Sequence, residues 1–364
     1  MDEEKFQQLA IDLANKSIGK VSPRPPVGAV IVKDGKVVGQ GRTKISPGDH
    51  AEAEAITEAS NKANGATLYC TLEPHNFFSK DEACTKKIID SGIAKVSCPT
   101  IDINPKVNGN GFKELRNSGI ELENNWNDYQ KKQCEELYES YNFKILNNRP
   151  LISIKLAMTL DGKIATKNNE SKWITNEKSR LKGHELRGIS DAIITGINTI
   201  ISDNPKMNSR GIKIYEGNPK YRVILDNEGK LNKNHQIYKD ENLGKIVWFT
   251  GKGVDRSQLP DHIIHIKSSK MKIEIKDVIK ELDILGCNNI LIEAGGTLAG
   301  SFFDKKLVDK VYAFIAPSIF GGKKSPNAIE GEGIDKIKDR IKSAILGFSI
   351  IKLLYIFWNI EFKS

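Results

Sequence analysis

At 364 residues the chain is longer than one ordinary core needs, and an apolar content of 39% is enough to bury two. The formal charge of +9 admits an acidic partner, but the 55 basic residues are scattered among 46 acidic ones, a pattern that a phosphorylated small molecule explains as readily as nucleic acid. The five cysteines, at 70, 84, 98, 134 and 287, show no paired framework, which argues against a disulfide-built secreted domain and for a reducing compartment.

The opening MDEEKFQQLA fits neither a signal nor a transit peptide, so a cytoplasmic protein is expected. Phe6, Leu9, Ala10, Leu13 and Ala14 recur at helical spacing and predict an amphipathic helix. The turn-rich Ser22-Pro-Arg-Pro-Pro26 leads into a strand over Val27–Val32, and Asp34-Gly35 turns a hairpin into Lys36–Gly41. A helix from about His50, a strand over Ala66–Leu72, a helix over Glu82–Ser91, a strand over Ala94–Cys98, a helix over Gly111–Ser118 and a strand from Gly119-Ile120 follow. Such alternation makes a layered α/β domain. Asp128–Leu146 reads as a helix that Asn147-Asn-Arg-Pro150 ends, which divides the chain into residues 1–147 and 148–364.

A second alternation starts at once. Strands are expected over Leu151–Met158, Asp191–Thr195, Arg222–Asp226, Ile246–Thr250, Asn289–Glu293 and Lys310–Ile319. Helices are expected over Asn176–Arg187, capped by Thr175 or Asn176, and over Lys276–Leu285 and Thr297–Asp304. The apolar run Ile345–Ile360 is short for a membrane span and contains Lys352, so two closing strands account for it better.

Residues 50–84 gather the donors for one metal ion. His50-Ala-Glu52 opens a helix, Glu73-Pro74-His75 follows a strand, and Cys84 lies nine residues beyond His75. This is the order of parts in zinc-dependent nucleobase deaminases, where the Glu of H-x-E binds no metal and shuttles protons. His75 stands where that pattern has Cys, so the ligands here are His50, His75 and Cys84, with Glu52 as general acid/base. Two imidazoles and a thiolate suit zinc and leave its fourth position for water. The bland alternative is a solvated first turn and ordinary loop residues.

In the second half, Glu293-Ala-Gly-Gly-Thr297 closes a strand and opens a helix, a place where backbone N–H groups can approach a phosphate. A tight turn needs the same glycines. Other polar residues fall in expected loops at strand ends: Thr159-Leu-Asp161-Gly162, Ser171-Lys-Trp173, Arg187, Thr195-Gly-Ile-Asn-Thr199, Asp203 and Arg210. Arg187 and Arg210 can each fork onto a phosphate or serve as surface ion pairs.

Taken together, HAE at 50–52, TLEP at 71–74, NPKVNGNG at 104–111, KLAMTLDGKIAT at 155–166, SKWIT at 171–175, ISDNP ending at Pro205 and EAGGTLAGSF at 293–302 resemble the bifunctional deaminase/reductase of riboflavin biosynthesis. The resemblance spans nearly the whole chain. It implies a cytidine-deaminase-like first domain, a dihydrofolate-reductase-like second domain, and zinc and NADPH as cofactors. The first domain would replace the 2-amino group of a diaminopyrimidinone ribosyl phosphate by a carbonyl, and the second would reduce the ribosyl group to ribityl. By motif, Ala157, Trp173, Thr199, Asp203 and the segment Gly295, Gly296, Thr297, Leu298, Ala299, Gly300, Ser301 match NADPH-contacting positions. Ser171, Arg187, Met207, Arg210 and Glu293 match positions that hold the substrate, and Asp161 or Glu293 is the candidate polar group at the sugar. Expected partners are the phosphorylated substrate and further copies of this chain, with no nucleic acid and no membrane.

Departures fall mainly in the first domain. Arg24 stands where the family places a pyrimidine-contacting Asn, and Asn76–Ala83 replaces the family's His-Gly-Arg-Thr-Pro-Pro loop. The closing strands also lack the usual Gly-x-Asp turn. A reductase whose deaminase domain has lost its activity is therefore a competing expectation. A nucleic-acid deaminase is a third, for which the first-domain loops offer only Phe77-Phe78 as a stacking platform.

Overall fold

A computed structural model describes residues 2–78, 82–210, 219–239, 243–255, 259–350 and 354–361, with side chains as far as residue 342. The chain forms two compact units, one built on the residues up to Asn148 and one beginning at Arg149.

The first unit carries α1 (Asp2–Asn15), β1 (Gly28–Lys33), β2 (Lys36–Arg42), α2 (Ala51–Ala59), β3 (Thr67–Cys70), α3 (Cys84–Asp90), β4 (Lys95–Ser97), α4 (Asn110–Asn117), β5 (Glu121–Glu123) and α5 (Asp128–Asn147). Its sheet runs β2-β1-β3-β4-β5, antiparallel on both sides of β1 and parallel from β3 to β5. Alternating apolar residues such as Ile31 and Leu68 are fully buried between the sheet and its helices. Glycine in β2 lets α2 lie directly on the sheet: a Cβ on Gly41 would come within 2.0 Å of the Ala51 carbonyl oxygen. That approach sets the first turn of α2 and so the residues around position 50. A capping box starts α5: the Asn127 side chain accepts from the Gln130 amide at 2.9 Å, and the Gln130 side chain accepts in return from the Asn127 amide at 3.4 Å. Asn148, left-handed at φ 55°, ends it.

The second unit carries β6 (Leu151–Thr159), α6 (Glu177–Gly188), β7 (Ala192–Gly196), α7 (Ile197–Asp203), β8 (Tyr221–Asp226), α8 (Gln236–Lys239), β9 (Lys245–Thr250), β10 (Ile263–Lys267), α9 (Ile275–Ile284), β11 (Asn289–Ile292), α10 (Gly296–Asp304), β12 (Lys310–Ala316), β13 (Lys342–Ile350) and β14 (Leu354–Glu361). The strand order is β10-β9-β8-β7-β11-β6-β12-β14-β13, parallel from β10 to β12 and antiparallel in the last two pairings. The chain moves outward from β7 to β10, then returns to lay β11 between β7 and β6. This reversal leaves a crevice at the carboxyl ends of β6, β7 and β11, where open parallel sheets bind ligands.

Two local expectations change. Thr199 and Asp203 lie on α7 rather than in a loop, because Ile197 and Ile200 pack into the cluster around Ile193, Ile224 and Trp248. The helix expected over Asn176–Arg187 is α6, with Arg187 in its last turn and Asn176 as the N-cap, accepting from the Ser179 amide at 3.0 Å. Strand β10 was not expected, since its IIHIK is short and lies at the sheet edge. The apolar C-terminal run forms β13 and β14, and among the described residues no helix is long and apolar enough to cross a membrane.

Candidate active sites

His50 is the N-cap residue of α2, Cys84 is the first residue of α3, and His75 lies in the connection between β3 and α3. Three distant segments thus bring one imidazole, a second imidazole and a thiol together, their ligand atoms all within 4.8 Å of one another. That spacing and donor set fit a single zinc ion with bonds of about 2.0–2.3 Å. The imidazoles of His50 and His75 face each other with ring centroids 4.7 Å apart, and Phe77 meets the edge of His75 at 5.1 Å. Cys84 is 1% exposed and His75 8%, so the centre sits in a wall of the protein rather than on it. Nearby, the Cys70 thiol is pushed up by its hydrogen bond with Cys98 and by burial.

Glu52 is the second residue of α2, in its first turn, and is 4% exposed. Arg24 donates to the Gly48 carbonyl at 2.6 Å and so braces the loop that delivers His50. Of the altered 76–83 loop, residues 79–81 lie outside the described residues.

Sequence reasoning missed Glu73 of the TLEP motif. Its buried carboxylate accepts from the amides of Asp102, Gly109 and Phe112, which organises the NPKVNGNG segment. The available signal was its place, one residue before Pro74 and two before a ligand. Asp102 in turn receives the Tyr141 hydroxyl at 3.2 Å, and burial outweighs that bond to push its carboxyl up.

In the second unit, Arg187 meets Glu293 in a bidentate pair, both bonds at 2.7 Å, and Lys155 of β6 lies 3.7 Å from the same carboxylate. Arg187 also donates to the Asn208 carbonyl at 3.2 Å, beside buried Met207. Burial opposes the Glu293 charge, but Arg187 and Lys155 overcome it and hold the carboxyl at about 2. The imidazole of His184 is shifted down by burial and by the positive charges of Arg187 and Arg210, which puts Arg210 in the same field. Two cations, Arg187 and Lys155, thus stand against the one Glu293 carboxylate.

Residues 295–301 divide by role. Gly295 is the N-cap of α10, with nothing within 4 Å of where its Cβ would stand. Gly296 and Gly300 serve packing: a Cβ would fall 2.2 Å from the Asn327 carbonyl and 2.0 Å from that of Glu330. Thr297 donates to Glu330 at 2.7 Å, Ser301 donates to the Thr297 carbonyl at 2.9 Å, Leu298 lies against Gly196 of β7, and Ala299 is fully buried. Ala157 is half-buried on β6, Ser171 half-buried, and Trp173 exposed with the Arg180 guanidinium 4.5 Å from its ring centre. Asp161 is exposed and accepts from the Thr159 hydroxyl and the amides of Phe320 and Gly321, which hold it below the usual carboxylate range. Its bonds fasten a loop, whereas Glu293 stands among cations.

Residues 150–346 match the family of the RibD C-terminal domain, and residues 1–100 match the cytidine and deoxycytidylate deaminase zinc-binding region. The chain is 36% identical over 340 residues to the riboflavin biosynthesis protein RibD of Aquifex aeolicus, covering 93% of each. It is also 36% identical to that of Synechocystis, covering 93% of this chain and 90% of the other. Among solved structures, the diaminohydroxyphosphoribosylaminopyrimidine deaminase/5-amino-6-(5-phosphoribosylamino)uracil reductase of Thermotoga maritima superposes with a TM-score of 0.83 at 33% identity, covering 99% of both chains.

Proposed function

The chain belongs to the RibD family of bifunctional deaminase/reductases of riboflavin biosynthesis, and from that premise we propose how its residues share the two reactions. The observation that carries the deaminase assignment is the convergence of His50, His75 and Cys84 within 4.8 Å, with Glu52 two residues from the first of them. Zinc, when bound, makes a water acidic enough to attack a ring carbon near neutral pH. Glu52 takes one proton from the attacking water and passes it to the ring nitrogen, then takes the second from the resulting hydroxyl and passes it to the amine as it leaves. The substrate is a diaminopyrimidinone ribosyl phosphate, as the Thermotoga relative's name indicates for that protein.

The reductase reaction occupies the crevice of the second unit. NADPH, when bound, would supply a hydride to C1 of the sugar, whose bond to the ring oxygen breaks as that oxygen takes a proton to become the ribityl hydroxyl. Gly295 leaves the backbone at the start of α10 open to a cofactor phosphate, with Ala157, Trp173, Thr199 and Asp203 contributing to the same ligand's binding. Arg210 anchors the substrate phosphate, and Arg187, Ser171 and Met207 shape its site. Glu293, oriented by Arg187 and Lys155, faces the sugar. Asp161, with its carboxylate committed to Thr159 and two backbone amides, is the weaker candidate there.

Family membership and the closed ligand triad support the bifunctional reading over a reductase with a silent deaminase domain. The protein is further proposed to work in the cytoplasm as a homo-oligomer on small phosphorylated substrates, with no nucleic acid and no membrane as partner. Resemblance supports the oligomer, and the cysteines, outside any disulfide, support the compartment. Two assays on the purified chain test the whole: ammonia release from the diaminopyrimidinone ribosyl phosphate and oxidation of NADPH with the deaminated product. Absence of either, from folded zinc-loaded protein, removes that half of the reading.

A further inference from the structure

Glu73 lies between the end of β3 and His75 and is 3% exposed. One carboxylate oxygen accepts from the amides of Asp102 at 3.1 Å and Gly109 at 2.9 Å, and the other accepts from the amide of Phe112 at 3.2 Å. The Glu73 amide donates to the Thr100 carbonyl at 2.9 Å. One residue therefore fastens the segment from 100 to 112 at four points. Gly109 is the N-cap of α4, so the carboxylate also sits where the helix dipole favours a negative charge. Gly111 closes the joint from the other side, since a Cβ there would stand 2.0 Å from the Pro74 carbonyl and 3.1 Å from Glu73 itself.

The second metal-bearing element hangs on the same joint. Thr85, which follows Cys84, donates its hydroxyl to Glu114 of α4 at 3.1 Å and its amide to the His75 carbonyl at 3.2 Å. The path from the Glu73 carboxylate thus reaches His75 directly through the chain and Cys84 through α4 and α3.

We propose that Glu73 is a positioning residue for the metal centre, its carboxylate fixing the His75 connection and the Cys84 helix at the separation one ion requires. This rests on the assignment of His50, His75 and Cys84 as ligands. The chain around His75 has no strand or helix to hold it, so its geometry depends on bonds of this kind. A carboxylate offers only acceptors to three N–H donors, while a carboxamide of the same size must turn an NH2 toward one of them.

The experiment uses the full zinc-loaded chain with three substitutions. Glu73→Gln turns a donor toward one of the three amides, and Gly111→Ala pushes the joint apart at the Pro74 carbonyl while keeping the carboxylate in the chain. Glu58→Gln is the control, because Glu58 also accepts from a backbone amide, that of Gln40 at 2.8 Å, at a different point on the surface. Zinc loss to excess chelator and the visible spectrum of the cobalt-substituted protein are the readouts, with reductase turnover as the check on folding. Glu73→Gln and Gly111→Ala are expected to lose zinc roughly tenfold faster and to shift the cobalt bands, with reductase turnover and the Glu58→Gln control unchanged. A wild-type loss rate and cobalt spectrum in Glu73→Gln, even with a lowered unfolding midpoint, would overturn the proposal and leave Glu73 a merely structural residue. Should Glu73→Gln fail to fold, Gly111→Ala decides by the same two readouts. A wild-type chain that holds no zinc removes the ligand assignment itself and the proposal with it, an outcome distinct from a loaded wild type with unaffected variants.

Discussion

Arg187 lays two nitrogens of its guanidinium on the two carboxylate oxygens of Glu293, each at 2.7 Å, with the Glu293 side chain only 10% exposed. Both residues were expected to hold substrate, and here they hold each other. Glu293 sits at about 2 against an ordinary 4.5, so the folded state binds its proton less well than the unfolded state. A carboxyl lowered in this way stabilises the fold fully above the unfolded value and loses that contribution as pH falls through the folded one. The stability of wild type relative to Glu293→Gln is therefore expected to fall by about 3 kcal/mol as the pH drops from about 4.5 through about 2. Urea unfolding of both proteins across that range measures it, and a pH-independent difference would count against the charge pair as its source.

The zinc assignment predicts one metal ion per chain after purification without chelator. Cys84→Ser should reduce the content well below that, and so should His75→Ala. Stripping the metal should end ammonia release and leave NADPH oxidation intact, because every proposed reductase residue lies beyond residue 148.

Glu52→Gln should keep the zinc and lose deamination by about a hundredfold or more, since a carboxamide neither accepts nor returns a proton. Unchanged ammonia release in this variant would assign the proton transfers to another group.

Arg210→Ala is expected to raise KM for the phosphorylated substrate more than it lowers kcat, as a phosphate anchor binds ground state and transition state alike. Steady-state NADPH oxidation separates the two. A fall confined to kcat would place Arg210 at the reacting sugar instead.

Glycines 295 and 300 should part company. Gly300→Ala puts a methyl 2.0 Å from the Glu330 carbonyl oxygen and should cost about 1–3 kcal/mol of stability. Gly295→Ala has open space and an ordinary φ of −69°, so it should fold normally and weaken NADPH binding. Thermal midpoints beside NADPH titrations distinguish the two effects.

Most strands were legible because their apolar residues alternate or run together between turn formers, as in Val27–Val32 before Asp34-Gly35. The helix at 197–203 was hidden by its length, seven residues with Gly196 in front, and only packing against Ile193 and Ile224 reveals it. That residues 50, 75 and 84 would come together was readable from order and spacing, since metal chemistry restricts the residue types. The partnership of Arg187 with Glu293 was not readable, because 106 residues separate them and either could have paired elsewhere. Nor was the split among the glycines of 295–301, as a glycine letter does not say whether a ligand or a carbonyl fills the space.

All five cysteines are buried thiols outside any disulfide, at strand ends, at a helix start and against the cores of both units. A thiol reagent should thus find almost nothing to label on the folded chain, and each labelling event marks an opening of the structure around one site. Cys70, Cys98 and Cys134 time the first unit and Cys287 times the second, so mass spectrometry of partly labelled protein can record which unit opens first. Cys84 adds a third clock, one that should stop whenever zinc is bound.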